Sequence, residues 1–229
     1  MLRLFLPEIC IHCGDHCDYA KQKPLTKYLC KVCLRQFELF EQPSQDDLVQ
    51  KSSLFRELPD VSIGASFTFE NGGIIQSLIH HCKYQEMPKL GAILGNISAQ
   101  NNVDISGEYD YLIPVPLHRT RYSERGYNQS EMLSKGIGDV SKIPVAKRNW
   151  LKRTRQTPSQ TGMTLEQREK NVRGAFALTK QGMKELQGKR VLVIDDVMTT
   201  GATLASAATA LMVVKPKKVD LFALAGVID

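Results

Sequence analysis

At 229 residues, with 42% hydrophobic and 24% charged side chains, the chain is long enough for one α/β domain plus a small appended module. No apolar run approaches the length that spans a bilayer, so membrane insertion is not expected. The formal net charge of +6 is excess positive charge whose placement along the chain matters more than its size.

Met1 to Leu6 is apolar, but Pro7, Glu8 and the cysteines that follow cut it far short of a secretory leader, so the expected location is the cytoplasm. Cys10 and Cys13 form one C-x2-C pair, and Cys30 and Cys33 form another, with sixteen residues between them. This is zinc-ribbon spacing: two knuckles bring four thiolates to one tetrahedral ion, a closed and therefore structural site. Two disulfides are the competing reading, and a reducing compartment favours the metal. His12, His16 and Cys17 compete as ligands, but four cysteines give both pairs the same geometry and leave Cys17 a bystander. Residues 1–42 are too few to build an adequate apolar core, and zinc would supply the missing stability. Residues 43–58 are polar, include Pro43 and Ser44, and read as a linker with one short helix.

Residues 59–229 alternate in the α/β manner. Val61 to Phe69 predicts a strand rich in β-branched and aromatic residues, closed by the turn Asn71-Gly72-Gly73. Ile74 to Lys83 and Lys89 to Ala99 have helical spacing of Ile and Leu, broken at Pro88. Tyr109 to Val115 predicts a strand and Asn128 to Lys135 a helix. A strand at Lys189 to Ile194, a small-residue helix at Thr203 to Val213 and a buried strand at Val219 to Val227 complete the pattern. Such alternation implies a mostly parallel sheet covered by helices. His80-His81-Cys82 tempts a second metal site, but adjacent side chains on a helix diverge by about 100°, so this stretch reads as packing and surface.

The densest chemistry lies at Val191-Leu192-Val193-Ile194-Asp195-Asp196-Val197-Met198-Thr199-Thr200-Gly201-Ala202-Thr203. A buried strand runs into two carboxylates, then into small and hydroxyl residues, then into a helix. Ligands of open α/β sheets bind at such carboxyl ends. The helix start offers unpaired N–H groups and the positive end of its dipole to a phosphate. Gly201 allows close backbone approach, and Thr199, Thr200 and Thr203 add hydroxyl donors. Ionised carboxylates only accept hydrogen bonds, so Asp195 and Asp196 suit a vicinal diol one sugar away. The order asks for a ribose 5-phosphate, and no Walker-type loop competes.

These thirteen residues resemble the phosphoribosyl-pyrophosphate (PRPP) motif of type I phosphoribosyltransferases. The resemblance implies that Asp195 and Asp196 hold the ribose hydroxyls, and that Val197 and Met198 lead into a 5-phosphate loop from Thr199 to Thr203. The segments Ile113-Pro114-Val115-Pro116-Leu117-His118-Arg119, Arg125-Gly126-Tyr127-Asn128-Gln129, Arg153 to Gln160 and Arg168 to Phe176 follow, beside the amino-terminal cysteine pairs. Together they are similar to the ComF family of competence-linked phosphoribosyltransferase-like proteins, over nearly the whole chain. That similarity implies a type I phosphoribosyltransferase fold with an amino-terminal zinc ribbon. It also implies a pyrophosphate loop at Val115, Pro116 and Leu117, magnesium brought with PRPP, and Arg119 and Arg125 as charge-neutralising groups.

All of the surplus charge is concentrated in one segment. Residues 147–173 hold eight Lys or Arg against Glu166 and Glu169, a surplus equal to that of the whole chain, and they include Trp150, the only tryptophan. The segment either closes over pyrophosphate or tracks a nucleic-acid backbone through Arg153 and Arg155, with Trp150 stacking on a base; core packing is the plainer reading of Trp150. Three functions follow. The family resemblance implies a PRPP-binding protein that handles imported single-stranded DNA in natural transformation, with a competence helicase as partner. The second is an active phosphoribosyltransferase, with Asp195 and Asp196 as its catalytic pair and an acceptor the sequence does not name. The third is a regulator in which PRPP biases a nucleic-acid-binding state.

Overall fold

In a computed structural model of the chain, helix α1 (Lys31–Glu38) precedes strand β1 (Ile63–Thr68), helices α2 (Ile74–Tyr84) and α3 (Pro88–Asn101), strand β2 (Tyr111–Pro114), and helices α4 (Arg119–Arg125) and α5 (Gln129–Ser141). Strand β3 (Leu151–Arg153), helix α6 (Leu165–Val172), strand β4 (Phe176–Leu178) and helix α7 (Lys180–Leu186) follow. Strand β5 (Arg190–Met198), helix α8 (Ala202–Leu211) and strand β6 (Lys218–Gly226) end the order. The structure describes residues 9–17, 24–38, 40, 42–48, 52–58, 60–85, 87–101, 105, 109–156 and 164–228. The residues read against a leader (Met1 to Glu8), together with Thr157 and Gln160 of the family motif, lie outside them.

Four strands make a wholly parallel sheet in the order β1-β6-β5-β2. A parallel sheet needs cover on both faces, and the strands are apolar on both. Val191 and Val193 enter the core beneath α8, while Leu192 and Ile194 enter the core beneath α2, α3 and α5, the two-residue period of a pleated strand. A short antiparallel β3–β4 pair, with α6 between its strands in the chain, forms a second sheet.

Most predicted elements are present, with shifted ends. The important shift is in β5, expected to stop at Ile194. It stays paired with β6 through Asp195↔Ala223, Val197↔Ala225 and Met198↔Gly226, so the acidic pair lies in the strand itself. β2 ends earlier, with Pro114 opposite Ile194. Beyond Val115, whose N–H donates to the Ile194 carbonyl, β5 pairs among the described residues only with β6, which leaves an unpaired strand edge beside the acidic pair.

Two packing features fix what surrounds this edge. Helices α3 and α5 touch backbone to backbone: a Cβ on Gly136 would run into the Ala92 carbonyl, and one on Gly95 into that of Leu133. This contact seats the amino end of α5 against the sheet. The 43–58 stretch, expected as a linker with a short helix, carries a 3-10 turn at Ser53–Glu57. Its Leu48, Leu54 and Leu58 are buried in the core beneath α8. The cysteine-bearing amino-terminal region also joins a core, since Cys10, Leu25, Leu29 and Phe37 share the apolar cluster of α2 and α3. The Phe37 and Phe67 ring centroids are 5.1 Å apart.

Candidate functional site

At the end of β5 the chain turns through Thr199 and Thr200 into α8, with Gly201 at the cap position and φ of 75°. That left-handed backbone favours glycine. A second constraint acts there, because a Cβ on Gly201 would land on the Phe55 ring. Gly201 has no side chain to cap α8, the Ala202 N–H donates to Thr200 Oγ1 at 3.5 Å, and residues Val197 to Leu204 line a small hollow. The phosphate-loop residues are thus brought together around the feature that binds anions.

Three neighbours that sequence reasoning gave no role hold this loop. The Ser52 N–H donates to the Thr200 carbonyl at 3.2 Å. The Ser53 hydroxyl donates to Glu169 Oε2 at 2.6 Å, tying α6 to the same corner. Arg168 on α6 donates from Nη1 to Thr199 Oγ1 at 3.0 Å, which puts a guanidinium at the phosphate loop.

The acidic pair is buried, 7% and 8% exposed, and each carboxylate has one oxygen committed within the protein. Asp195 Oδ1 accepts from the Ser130 hydroxyl and from the Asp196 N–H, both at 2.9 Å. Asp196 Oδ2 pairs with Lys83 Nζ at 2.8 Å. Among the described residues, Asp195 Oδ2 and Asp196 Oδ1 carry no hydrogen bond, which leaves one acceptor oxygen uncommitted on each carboxylate. Burial pushes the Asp195 carboxyl up to about 7, helped by the Asp196 charge and opposed by the Asp196 N–H, Lys83 and Ser130. The rest of the His80–Tyr84 stretch packs as expected. His80 lies against Tyr84 with centroids 4.9 Å apart, His81 Nδ1 is 2.8 Å from the Ser77 carbonyl, and burial pushes the Cys82 thiol up to about 12.

Val115 takes the last β2-side position, its N–H donating to the Ile194 carbonyl at 2.8 Å. Asn128 fixes the loop from the other side: its Nδ2 donates to the Val115 carbonyl at 2.9 Å while its Oδ1 caps α5. Pro116, Leu117, Arg119 and Arg153 line one groove beside this loop. Arg125 is turned elsewhere, with its guanidinium 5.0 Å over the Tyr84 ring and donating to Gln129 Oε1 at 2.9 Å. It therefore does not line the groove with Arg119.

The structure bears on two of the candidate nucleic-acid contacts, bearing out core packing for Trp150 and setting aside its stacking on a base. Trp150 is 4% exposed, packed edge-on against Tyr111 with ring centroids 5.0 Å apart, so it presents no face to a base. Arg155 Nη2 donates to the carbonyls of Lys170, Asn171 and Arg173 at 3.0–3.2 Å. These are the orphan acceptors at the carboxyl end of α6, so the guanidinium serves as a helix cap. Arg153, two residues away, faces the site instead, close enough to Asp195 for their charges to interact.

At the far end of α2, Cys10, Cys13, Cys30 and Cys33 bring their Sγ atoms within 4.8 Å of one another, with Cys13 and Cys30 3.6 Å apart. Four thiolates at about 2.3 Å from one tetrahedral ion would be spaced closely like this, so the donor set fits a metal such as zinc. Cys17 is not in the cluster. The described cysteines are free thiols, which leaves the disulfide reading without support. His12 Nδ1 lies 3.0 Å from the Ser77 hydroxyl of α2, outside the ligand set.

The family described as "Phosphoribosyl transferase domain" matches residues 141–228. "Competence protein F" of Haemophilus influenzae is 30% identical over 195 residues, which is 85% of this chain and 74% of that protein. "DNA utilization protein YhgH" of Shigella flexneri is 28% identical over 153 residues, 60% of this chain and 61% of its own length, so the chain spans less than two thirds of that relative. "Competence protein ComFC" of Bacillus subtilis is 23% identical over 210 residues, 90% of this chain and 78% of that protein. Among the described residues, no helix is long and apolar enough to cross a membrane.

Proposed function

This chain belongs to the competence protein F family, and on that premise we propose that it binds PRPP and handles imported single-stranded DNA in the cytoplasm during natural transformation, with a competence helicase as partner. One observation carries the PRPP reading: an acidic pair with one uncommitted oxygen on each carboxylate stands directly before a threonine–glycine helix start. In this reading the first-turn N–H groups of α8 and the hydroxyls of Thr199, Thr200 and Thr203 hold the 5-phosphate, with Arg168 adding charge. Asp195 Oδ2 and Asp196 Oδ1 accept from the ribose diol. Asn128 holds the Val115–Leu117 loop where the pyrophosphate would lie, between Arg119 and Arg153. Magnesium would arrive on the pyrophosphate oxygens and offset their charge.

Calorimetry with PRPP, with and without magnesium, tests the reading. Saturable heat with magnesium is expected, reduced at least tenfold in affinity by Asp196→Asn, because an amide replaces one accepting oxygen with a donor. No heat with the wild-type chain would remove the PRPP reading. The names of the relatives support the competence and DNA part, and binding of a labelled oligonucleotide tests it separately.

A further inference from the structure

Beside the Val115–Leu117 loop lies a groove of about 620 Å³ lined by Leu117, Arg119, Tyr122, Arg148, Lys152 and Arg153, among others. Its volume is in the range of cavities, about 300–1,000 Å³, that hold whole small molecules. Four of these lining residues are cationic, and among the described residues no carboxylate lines it. Most of the positive segment's side chains are exposed or tied to helix ends, as Arg155 is, but here cations from two separate segments converge on one concave surface. The Arg148 guanidinium lies over the Tyr122 ring, 4.2 Å from its centroid. Leu151 forms a buried apolar floor between Arg148 and Lys152. A planar cation held over an aromatic ring, an apolar floor and flanking point charges match a ligand with stackable bases and a phosphate backbone.

We propose that this groove seats a segment of single-stranded DNA, with Arg119, Arg148 and Lys152 on backbone phosphates and the outer face of the Arg148 guanidinium under a base. Because Leu117, Arg119 and Arg153 also bound the place of the pyrophosphate, the strand and magnesium pyrophosphate exclude one another. The inference rests on the reading above that the chain binds single strands, and it moves their seat from Trp150 and Arg155 to the groove. Linkage then requires PRPP to weaken DNA binding and DNA to weaken PRPP binding by the same factor.

The test uses the full chain, a fluorescein-labelled oligothymidylate and anisotropy across a salt series. Arg148 and Lys152 are exposed, so R148Q/K152Q should fold with an unchanged melting temperature. The expected result is weaker binding by the double variant, with the slope of log affinity against log salt reduced by about 1.4, since each single-strand phosphate deprived of its cation accounts for about 0.7. Magnesium pyrophosphate should displace the oligonucleotide from the wild-type chain, and sulfate at matched ionic strength should not. Wild-type binding that neither the double variant nor pyrophosphate alters would overturn the groove assignment and leave the single-strand reading standing. A wild-type chain that binds no oligonucleotide at all would remove that reading itself.

Discussion

Lys83 Nζ lies 2.8 Å from Asp196 Oδ2, an ion pair joining the carboxyl end of α2 to the buried end of β5. The two carboxylates of the acidic pair are adjacent in sequence and enclosed, so their mutual repulsion must be met from within the protein. Lys83 meets it, with 23% of its side chain exposed against 12% for Asp196. Removing one partner of an enclosed pair costs more than the pair contributes, because the other charge is left uncompensated.

The first prediction concerns pH. The folded-state value of Asp195 is raised, to about 7, above the unfolded value of about 3.9. The native state therefore holds a proton that the unfolded state has released, and stability falls as pH rises from about 4 to about 7. Melting temperatures of the unliganded chain across that window should drop with pH in the wild type. Asp195→Asn should flatten the dependence. Lys83→Met should destabilise the chain at pH 8 by roughly 1–3 kcal/mol, and by less at pH 5, where Asp195 is protonated. An identical loss at both pH values would mean that Lys83 acts through packing alone.

At Gly201 the left-handed backbone and the Phe55 ring both refuse a side chain. Gly201→Ala should cost about 1–2 kcal/mol for the backbone alone, with the ring clash added. It should also abolish PRPP binding in a thermal-shift titration. Adding Phe55→Ala should recover part of the stability, since it relieves the clash but not the torsion. Full recovery would show that the backbone conformation contributes nothing.

Arg168 separates the two ends of the ligand. If its guanidinium serves the 5-phosphate, Arg168→Gln should weaken ribose 5-phosphate and PRPP by similar factors, about tenfold for the removal of a charge-assisted hydrogen bond. Calorimetry with both ligands checks this. A loss confined to PRPP would place Arg168 at the pyrophosphate instead.

Metal removal should be felt beyond the cysteines. The cluster predicts about one tightly held ion per chain, released by a chelator or by acid. Because Phe37 packs on Phe67 of β1, and Cys10 and Cys33 share a core with α2 and α3, metal loss should lower the melting temperature of the whole chain. Circular dichroism should show one shifted transition for Cys30→Ser. An unchanged main transition would make the metal module an independent unit.

The strand-to-helix turn that carries the acidic pair was legible because it is contiguous, and the four-cysteine cluster because each of its two pairs has a characteristic local spacing. The parallel sheet was legible from unbroken apolar runs such as Val191 to Ile194. What was hidden depends on distant residues. Nothing near Lys83 marks it as the counter-ion of a carboxylate 113 positions later; its neighbours His80 and His81 drew attention to metals instead. Ser130 and Ser52 carry hydroxyl and backbone groups too common to stand out. Trp150 packs in the core, its plainer reading, while Arg155 misled because composition counts a basic segment without knowing which side chains the fold consumes. The extent of β5 was missed because two carboxylates read as a strand end, whereas pairing with β6 carries the strand past them.

Helix α2 reaches both the cysteine cluster and the acidic pair. Its Ser77 meets His12 of the first knuckle, and its Lys83, less than two turns further on, meets Asp196. The helix thus ties the first knuckle to the acidic pair through two side-chain contacts. If the chain binds PRPP as proposed, loss of an ion from the cysteines would then reach Asp196 through this helix, and the chelated chain should bind PRPP with altered affinity.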